Sequence, residues 1–176
     1  MGSNMNLSRA KELLNKKGLS YELIEYSCEG DFWKHISQFS DTSKAAHSKM
    51  ISLVINSPNK HKNLELQFNQ LENDYLFCEL WFGEYCFEAF DYEADILEQE
   101  ILSDIENVIS GVFIAFSVSD LKNRRFISDG LFEKNSESLE KFKQKMSKPK
   151  SWAEKIFKTQ MQYELYDWDT HKIVIK

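Results

Sequence analysis

Two glutamates in the middle of the chain are spaced for acid–base chemistry. If Gly83-Glu84 is a two-residue hairpin turn, Glu79 falls directly opposite Glu88 on the neighbouring strand. Two carboxylates held that close drive their pKa values apart, so that one can act as an acid and the other as a base. The residues around them do not supply the other groups a hydrolase needs. A second candidate is a thiol–imidazole pair, Cys28 with His35 or His47. Its spacing matches no characteristic nucleophile arrangement, and a buried, inert cysteine accounts for it as well. Asp167, Asp169 and His171 are metal-ligand types close together, but Asp169-Thr170 between two alternating apolar segments reads as a turn with polar tips.

Other chemistries are excluded by spacing. The six glycines (Gly2, Gly18, Gly30, Gly83, Gly111, Gly130) are far apart, so there is no phosphate-cradling loop, dinucleotide fingerprint or nucleophile elbow. The four histidines form no helical metal pair, and the three cysteines (Cys28, Cys78, Cys86) have no zinc-site spacing. No cofactor and no metal are expected.

Charge is the most informative feature. From Asn63 to Leu121 there are 14 acidic residues and no Lys, Arg or His, a net of −14. The other 14 acids stand against all 22 basic residues, a net of +8, so the overall −6 is the sum of two opposed parts. Such asymmetry bears on partners rather than on fold.

The elements that position these charges follow from periodicity. Leu64, Leu66 and Phe68 alternate with Glu65, Gln67 and Asn69, and the hairpin strands run over 75–82 and 85–92. One hairpin face holds Cys78, Leu80, Phe82, Tyr85, Phe87 and Ala89. Burial of Leu64, Leu66 and Phe68 on that same face requires a three-residue loop, Glu72-Asn73-Asp74. The opposite face then collects Glu65, Glu79, Trp81, Glu88 and Phe90, carboxylates mixed with large aromatics. It reads either as a solvated sheet surface or as a recognition surface for a basic partner, in which aromatics anchor and carboxylates steer. A helix over 93–110 carries an apolar stripe of Ile96, Leu97, Ile101, Leu102, Ile105, Val108 and Ile109, and its acids Glu98, Glu100 and Asp104 extend the acidic surface.

Around this centre we expect a helix over 7–17, capped by Asn6 or Ser8 and stopped by Gly18. Strands are expected over 21–27, 50–56 and 112–119, with a return over 124–127. Helices are expected over 31–39, around Leu139, Phe142 and Met146 ending before Pro149, and over 151–158. A hairpin over 163–168 and 172–175 closes the chain. Grouped strands with a few helices predict an α+β fold, a single domain over 5–176 with a largely antiparallel sheet packed by the 93–110 helix and flanking helices. Residues 1–4 read as the remnant of a cloning tag.

At 42% hydrophobic and 14% aromatic, the chain is too apolar for disorder. An odd cysteine count without close pairs suits a reducing compartment, and no apolar run reaches membrane-span length, so a cytoplasmic location is expected. The lysine-rich stretch 134–158 reads as a solvated face. With only Arg9, Arg124 and Arg125 in the chain and no aromatic–basic platform, nucleic acid is not the expected partner.

An acidic α+β chain of this size with no catalytic motif resembles the bacterial immunity proteins of polymorphic-toxin and contact-dependent growth-inhibition systems. The resemblance covers overall character and the acidic segment from Glu65 to Glu106. It implies an inhibitor that binds a cognate toxin domain, often a basic nuclease. The alternatives are a small enzyme with a dispersed carboxylate or Cys/His site, and a structural subunit of an oligomer.

Overall fold

The computed structural model describes residues 5–26, 49–71, 74–88, 96–150 and 160–176. It is an α+β fold whose nine strands form a five-stranded and a four-stranded sheet, with three helices among the described residues. Contacts group the chain into two compact units drawn from interleaved segments. The expected helices over 31–39 and 151–158 lie outside the described residues, as do Cys28, His35, His47 and Phe90.

The first unit comprises Met1–Asn56, Leu64–Trp81 and Phe87–Ile101. Helix α1 (Leu7–Lys16) begins where Asn6 accepts the Arg9 N–H at 2.9 Å, satisfying one of the orphan donors of its first turn. It ends before Gly18, whose φ of +72° suits a residue without Cβ. Ala10, Leu13 and Leu14 are its buried stripe.

The sheet runs in the order β1 (Glu22–Tyr26), β2 (Met50–Ile55), β3 (Leu64–Leu71), β4 (Asp74–Phe82), β5 (Tyr85–Glu88). β2 is buried at all six positions, as its unbroken apolar run requires. Ile51, Leu53 and Ile55 stand opposite Phe68, Leu66 and Leu64, and these six side chains are all buried. Their other-face neighbours pair Ser52 with Gln67 and Val54 with Glu65.

The turn between β4 and β5 is Gly83-Glu84, with Gly83 at φ +60°, the glycine-first pattern of a II′ hairpin. The Gly83 N–H donates to the Asn63 carbonyl at 3.1 Å, which carries the antiparallel ladder one step past the ends of β3 and β4. At the far end β3 stops at Leu71 and β4 starts at Asp74, and the Gly83-to-Asn63 bond keeps the register that the expected loop was chosen to give, with Leu64, Leu66 and Phe68 buried as Leu80 and Phe82 are. Asp74 is held there by Asn6, which donates to its carboxylate at 3.0 Å. Helix α2 (Leu97–Ile109) begins later among the described residues than the expected 93, and buries Ile101, Ile105 and Val108.

The second unit comprises Ser57–Asn63, Phe82–Cys86 and Leu102–Lys176. Its sheet has the order β7 (Arg125–Glu133), β6 (Phe113–Asp120), β8 (Met161–Tyr166), β9 (His171–Ile175). β7 extends well beyond the expected return over 124–127. Asp129 and Gly130 interrupt its apolar alternation, yet the ladder with β6 continues through them. Helix α3 (Glu137–Ser147) is capped by Ser136 and stops ahead of Pro149, where Lys148 is extended. Its Phe142 and Met146 pack with Val118 and Tyr163 on one face of this sheet, and the Phe116, Phe132 and Phe142 rings lie within 5.4 Å of one another. Among the described residues the strands after residue 112 pair among themselves, so the largely antiparallel α+β pattern is divided over two sheets. No helix among the described residues is long and apolar enough to cross a membrane.

Candidate functional site

β3 and β2 bring Glu65 against polar groups from three strands. Its Oε1 accepts from Ser52 Oγ at 2.5 Å, Gln67 Nε2 at 3.0 Å and the Tyr26 hydroxyl at 3.2 Å. Ser52 is fully buried and Gln67 nearly so. Burial, then the Glu65 charge, holds the Tyr26 hydroxyl above the ordinary phenol range, so it remains a donor. This carboxylate is therefore fixed in place. Ser52→Ala is expected to lower unfolding free energy by about 1–2 kcal/mol, because a charge-assisted bond to a part-buried carboxylate is lost. Urea titration of the two proteins measures it; equal midpoints would show that the hydroxyl contributes nothing.

Glu79 and Trp81 lie two apart on β4 and meet on one face. Both are half-buried, and Trp81 Nε1 donates to Glu79 Oε2 at 2.9 Å. Cys78, adjacent to Glu79 in the chain, points to the other face, where its Sγ donates to the Gln67 carbonyl at 3.1 Å. Burial pushes this thiol up to about 12, so it stays protonated and unreactive at neutral pH. Neither Cys78 nor Cys86 is in a disulfide. Glu88 is the last residue of β5.

On α2, Glu98 is engaged. Arg9 forks onto it with Nε and Nη2 at 3.0–3.1 Å, and reaches Glu12 through Nη1 at 2.9 Å. Glu98 also sits in the first helical turn, where the dipole favours an acid. Glu100 and Asp104 are on the same helix, Glu100 half-buried. Of the expected recognition residues, the structure thus brings Glu79 and Trp81 into direct contact, gives Glu65 and Glu98 partners of their own, and leaves Phe90 outside the described residues.

A second polar group, in the other unit, was not anticipated. Lys62 donates to both oxygens of Glu84 at 2.7 Å and stands 2.9 Å from Glu164 Oε2, as an ion pair without hydrogen-bond alignment. Glu164 is 8% exposed and accepts from Gln162 through its other oxygen. His171 Nε2 is 3.6 Å from Glu164 Oε2, and the His61 and His171 rings are 4.9 Å apart. Lys62 also lies 5.1 Å from the centre of the Tyr166 ring. Burial works against the Lys62 charge, but Glu84 and Glu164 prevail and raise its pKa above that of an ordinary lysine. Burial likewise works against the Glu164 charge, and Lys62 overrides it, holding the carboxyl below the usual range. The signal for half of this group was present in the sequence: continuing the β3–β4 register past Asn63 sets Lys62 opposite Glu84.

The Asp167-to-His171 segment is the turn it resembled. Asp167 Oδ1 accepts from the N–H groups of Asp169 and Thr170 at 2.9 and 2.6 Å. Among the described residues no group of three or more His, Cys, Asp or Glu side chains is arranged to hold a metal ion.

Comparison of the chain with protein-family models, with curated proteins and with solved structures returns no match.

Proposed function

We propose that the chain is a protein-binding inhibitor of the immunity type, which neutralises a basic toxin domain through an acidic, aromatic surface centred on Glu79 and Trp81. The observation that carries this reading is the 2.9 Å bond from the Trp81 indole to the Glu79 carboxylate on a half-exposed stretch of β4. It fixes a large aromatic side chain beside a negative charge before any partner arrives. Such preorganisation lowers the ordering cost of binding, and tryptophan is enriched at the energetic centres of interfaces. The segments forming this unit carry 16 acidic and 7 basic residues, those of the other unit 12 and 15. A net of −9 around the anchor would speed encounter with a basic partner and make it salt-sensitive.

Glu65, Glu88 and Phe90 on the same sheet face of the sequence pattern, and Glu98, Glu100 and Asp104 on α2, are the supporting residues of this surface. Glu98 would exchange or share Arg9, so its contribution is expected to be smaller than that of Glu79.

The test is binding to a cognate basic toxin domain. Reversing Glu79, Glu88 and Glu100 to lysine is expected to weaken binding by about 100-fold and flatten its salt dependence. Trp81→Ala is expected to cost about 2 kcal/mol, mainly through faster dissociation. Unchanged affinity and salt dependence in the triple variant would remove this surface from consideration.

A further inference from the structure

We infer that β9 is a dimerisation edge, along which a second copy of the chain pairs antiparallel about a two-fold axis at Ile173. This inference is independent of the acidic surface. Among the described residues β9 is the last strand of its sheet, with β8 on one side only. Met161 and Lys176 exchange both backbone bonds at 2.8 Å, so Lys172, Val174 and Lys176 turn their N–H and C=O groups toward β8. The alternate residues His171, Ile173 and Ile175 turn theirs to the open edge. The side chains on this edge are apolar and uncovered: Ile173 is 49% exposed and Ile175 56%.

Charge and hydrogen bonding select one register. Centred on Ile173, each Ile173 bonds its own copy, and His171 of each chain bonds the partner's Ile175. Every outward backbone group from 171 to 175 then has a partner. Ile173 stands beside its copy on one face, and on the other face Lys172 stands opposite the partner's Val174. Moving the centre one residue either way brings like charges together: at Val174, Lys172 faces the partner's Lys176, and at Lys172 it faces its own copy. Two of the other edges, β7 and β1, lack this fit. β7 is bulged where it passes Val118 and Ser119 of β6, and β1 carries Glu22 and Glu25 within five residues.

The experiment is light scattering on the full chain over a range of concentrations. The mass is expected to rise from 20.7 kDa toward twice that value. Ile173→Lys, which puts lysine against lysine on the axis, is expected to raise the dimer dissociation constant by about tenfold or more with the circular dichroism spectrum unchanged. Ile173→Cys is expected to cross-link on mild oxidation, since a hydrogen-bonded antiparallel pair holds its Cα atoms about 5.5 Å apart. Lys172→Cys, facing Val174, is expected not to cross-link. Should Ile173→Lys not fold, Ile175→Lys tests the same edge against His171. A wild-type mass that stays monomeric throughout, or a dimer indifferent to lysine at 173 and 175, overturns the inference.

Discussion

Lys62→Met is expected to destabilise the protein by about 3 kcal/mol at neutral pH. Lys62 is the cation that compensates Glu164, and both side chains are only 11% exposed. Methionine keeps the stem and its packing but leaves a buried carboxylate with an amide and a distant imidazole as company. That uncompensated charge, more than the lost attraction, sets the cost. A second substitution, Glu164→Gln in the Lys62→Met background, is expected to recover most of it. The pH dependence has a definite sign. Because the folded pKa of Glu164 is depressed, its contribution is complete above the ordinary value of 4.5 and is lost as pH falls through the lower folded value. Because the folded pKa of Lys62 is raised, its contribution is complete below 10.5 and is lost as pH rises through the higher folded value. The pair therefore supports the wild type between about pH 4.5 and 10.5. In the variant burial still pushes the Glu164 carboxyl up and the opposing hold of Lys62 is gone, so it protonates more readily. The difference between the two proteins should narrow from pH 7 to pH 4 in urea titrations; a constant difference would mean that Lys62 acts through packing alone.

This pair also marks how far the sequence could be read. Local rules located what local physics decides. Asn6 caps α1 and Gly18 ends it, and the alternation of Leu64, Leu66 and Phe68 assigned the buried face of β3. Lys62 opposite Glu84 needed only the β3–β4 register carried two residues further. Glu164 and His171 could not be reached in this way. They come from a different sheet about a hundred residues on, and period-two patterning says which face a side chain takes but not which strand lies beside it. The same gap hid the second sheet, and hid Arg9 as the partner of Glu98, 89 residues away. The acidic segment contains no base of its own, so the cations that Glu84 and Glu98 meet, Lys62 and Arg9, come from outside it. The candidate anchor was more legible. Glu79 and Trp81 are two apart on one strand, so their shared face followed from the hairpin turn, although the bond between them did not. That bond also occupies the carboxylate that the acid–base reading would have needed.

Gly83→Ala is expected to cost about 3 kcal/mol, an effect far beyond a usual surface turn substitution. Two causes act at one position. Gly83 has φ +60°, which places any Cβ at a disadvantage of about 1 kcal/mol. An added Cβ would also stand 2.7 Å from Cε2 of Tyr166 and 2.9 Å from Cδ of Lys62. Lys62 can give way at Cδ, midway along a flexible stem whose Nζ is held by Glu84 and Glu164. Tyr166 cannot, because it is fully buried, packs its ring edge-on to Phe82 at 5.2 Å, and is pinned through its hydroxyl. That hydroxyl accepts the Glu84 N–H at 3.0 Å and donates to the Phe82 carbonyl at 3.2 Å. Burial raises its pKa well above the ordinary phenol, so the proton needed for the second bond is retained. Tyr166→Ala alone is expected to cost about 4 kcal/mol, through the lost ring and the cavity left behind. With the ring gone, alanine at 83 meets only the backbone penalty. The double variant should therefore be more stable than the sum of the two single effects by about 2 kcal/mol, measured as a double-mutant cycle in urea. Additivity within about 0.5 kcal/mol would mean that the backbone at Gly83, and not the tyrosine ring, sets its preference for glycine.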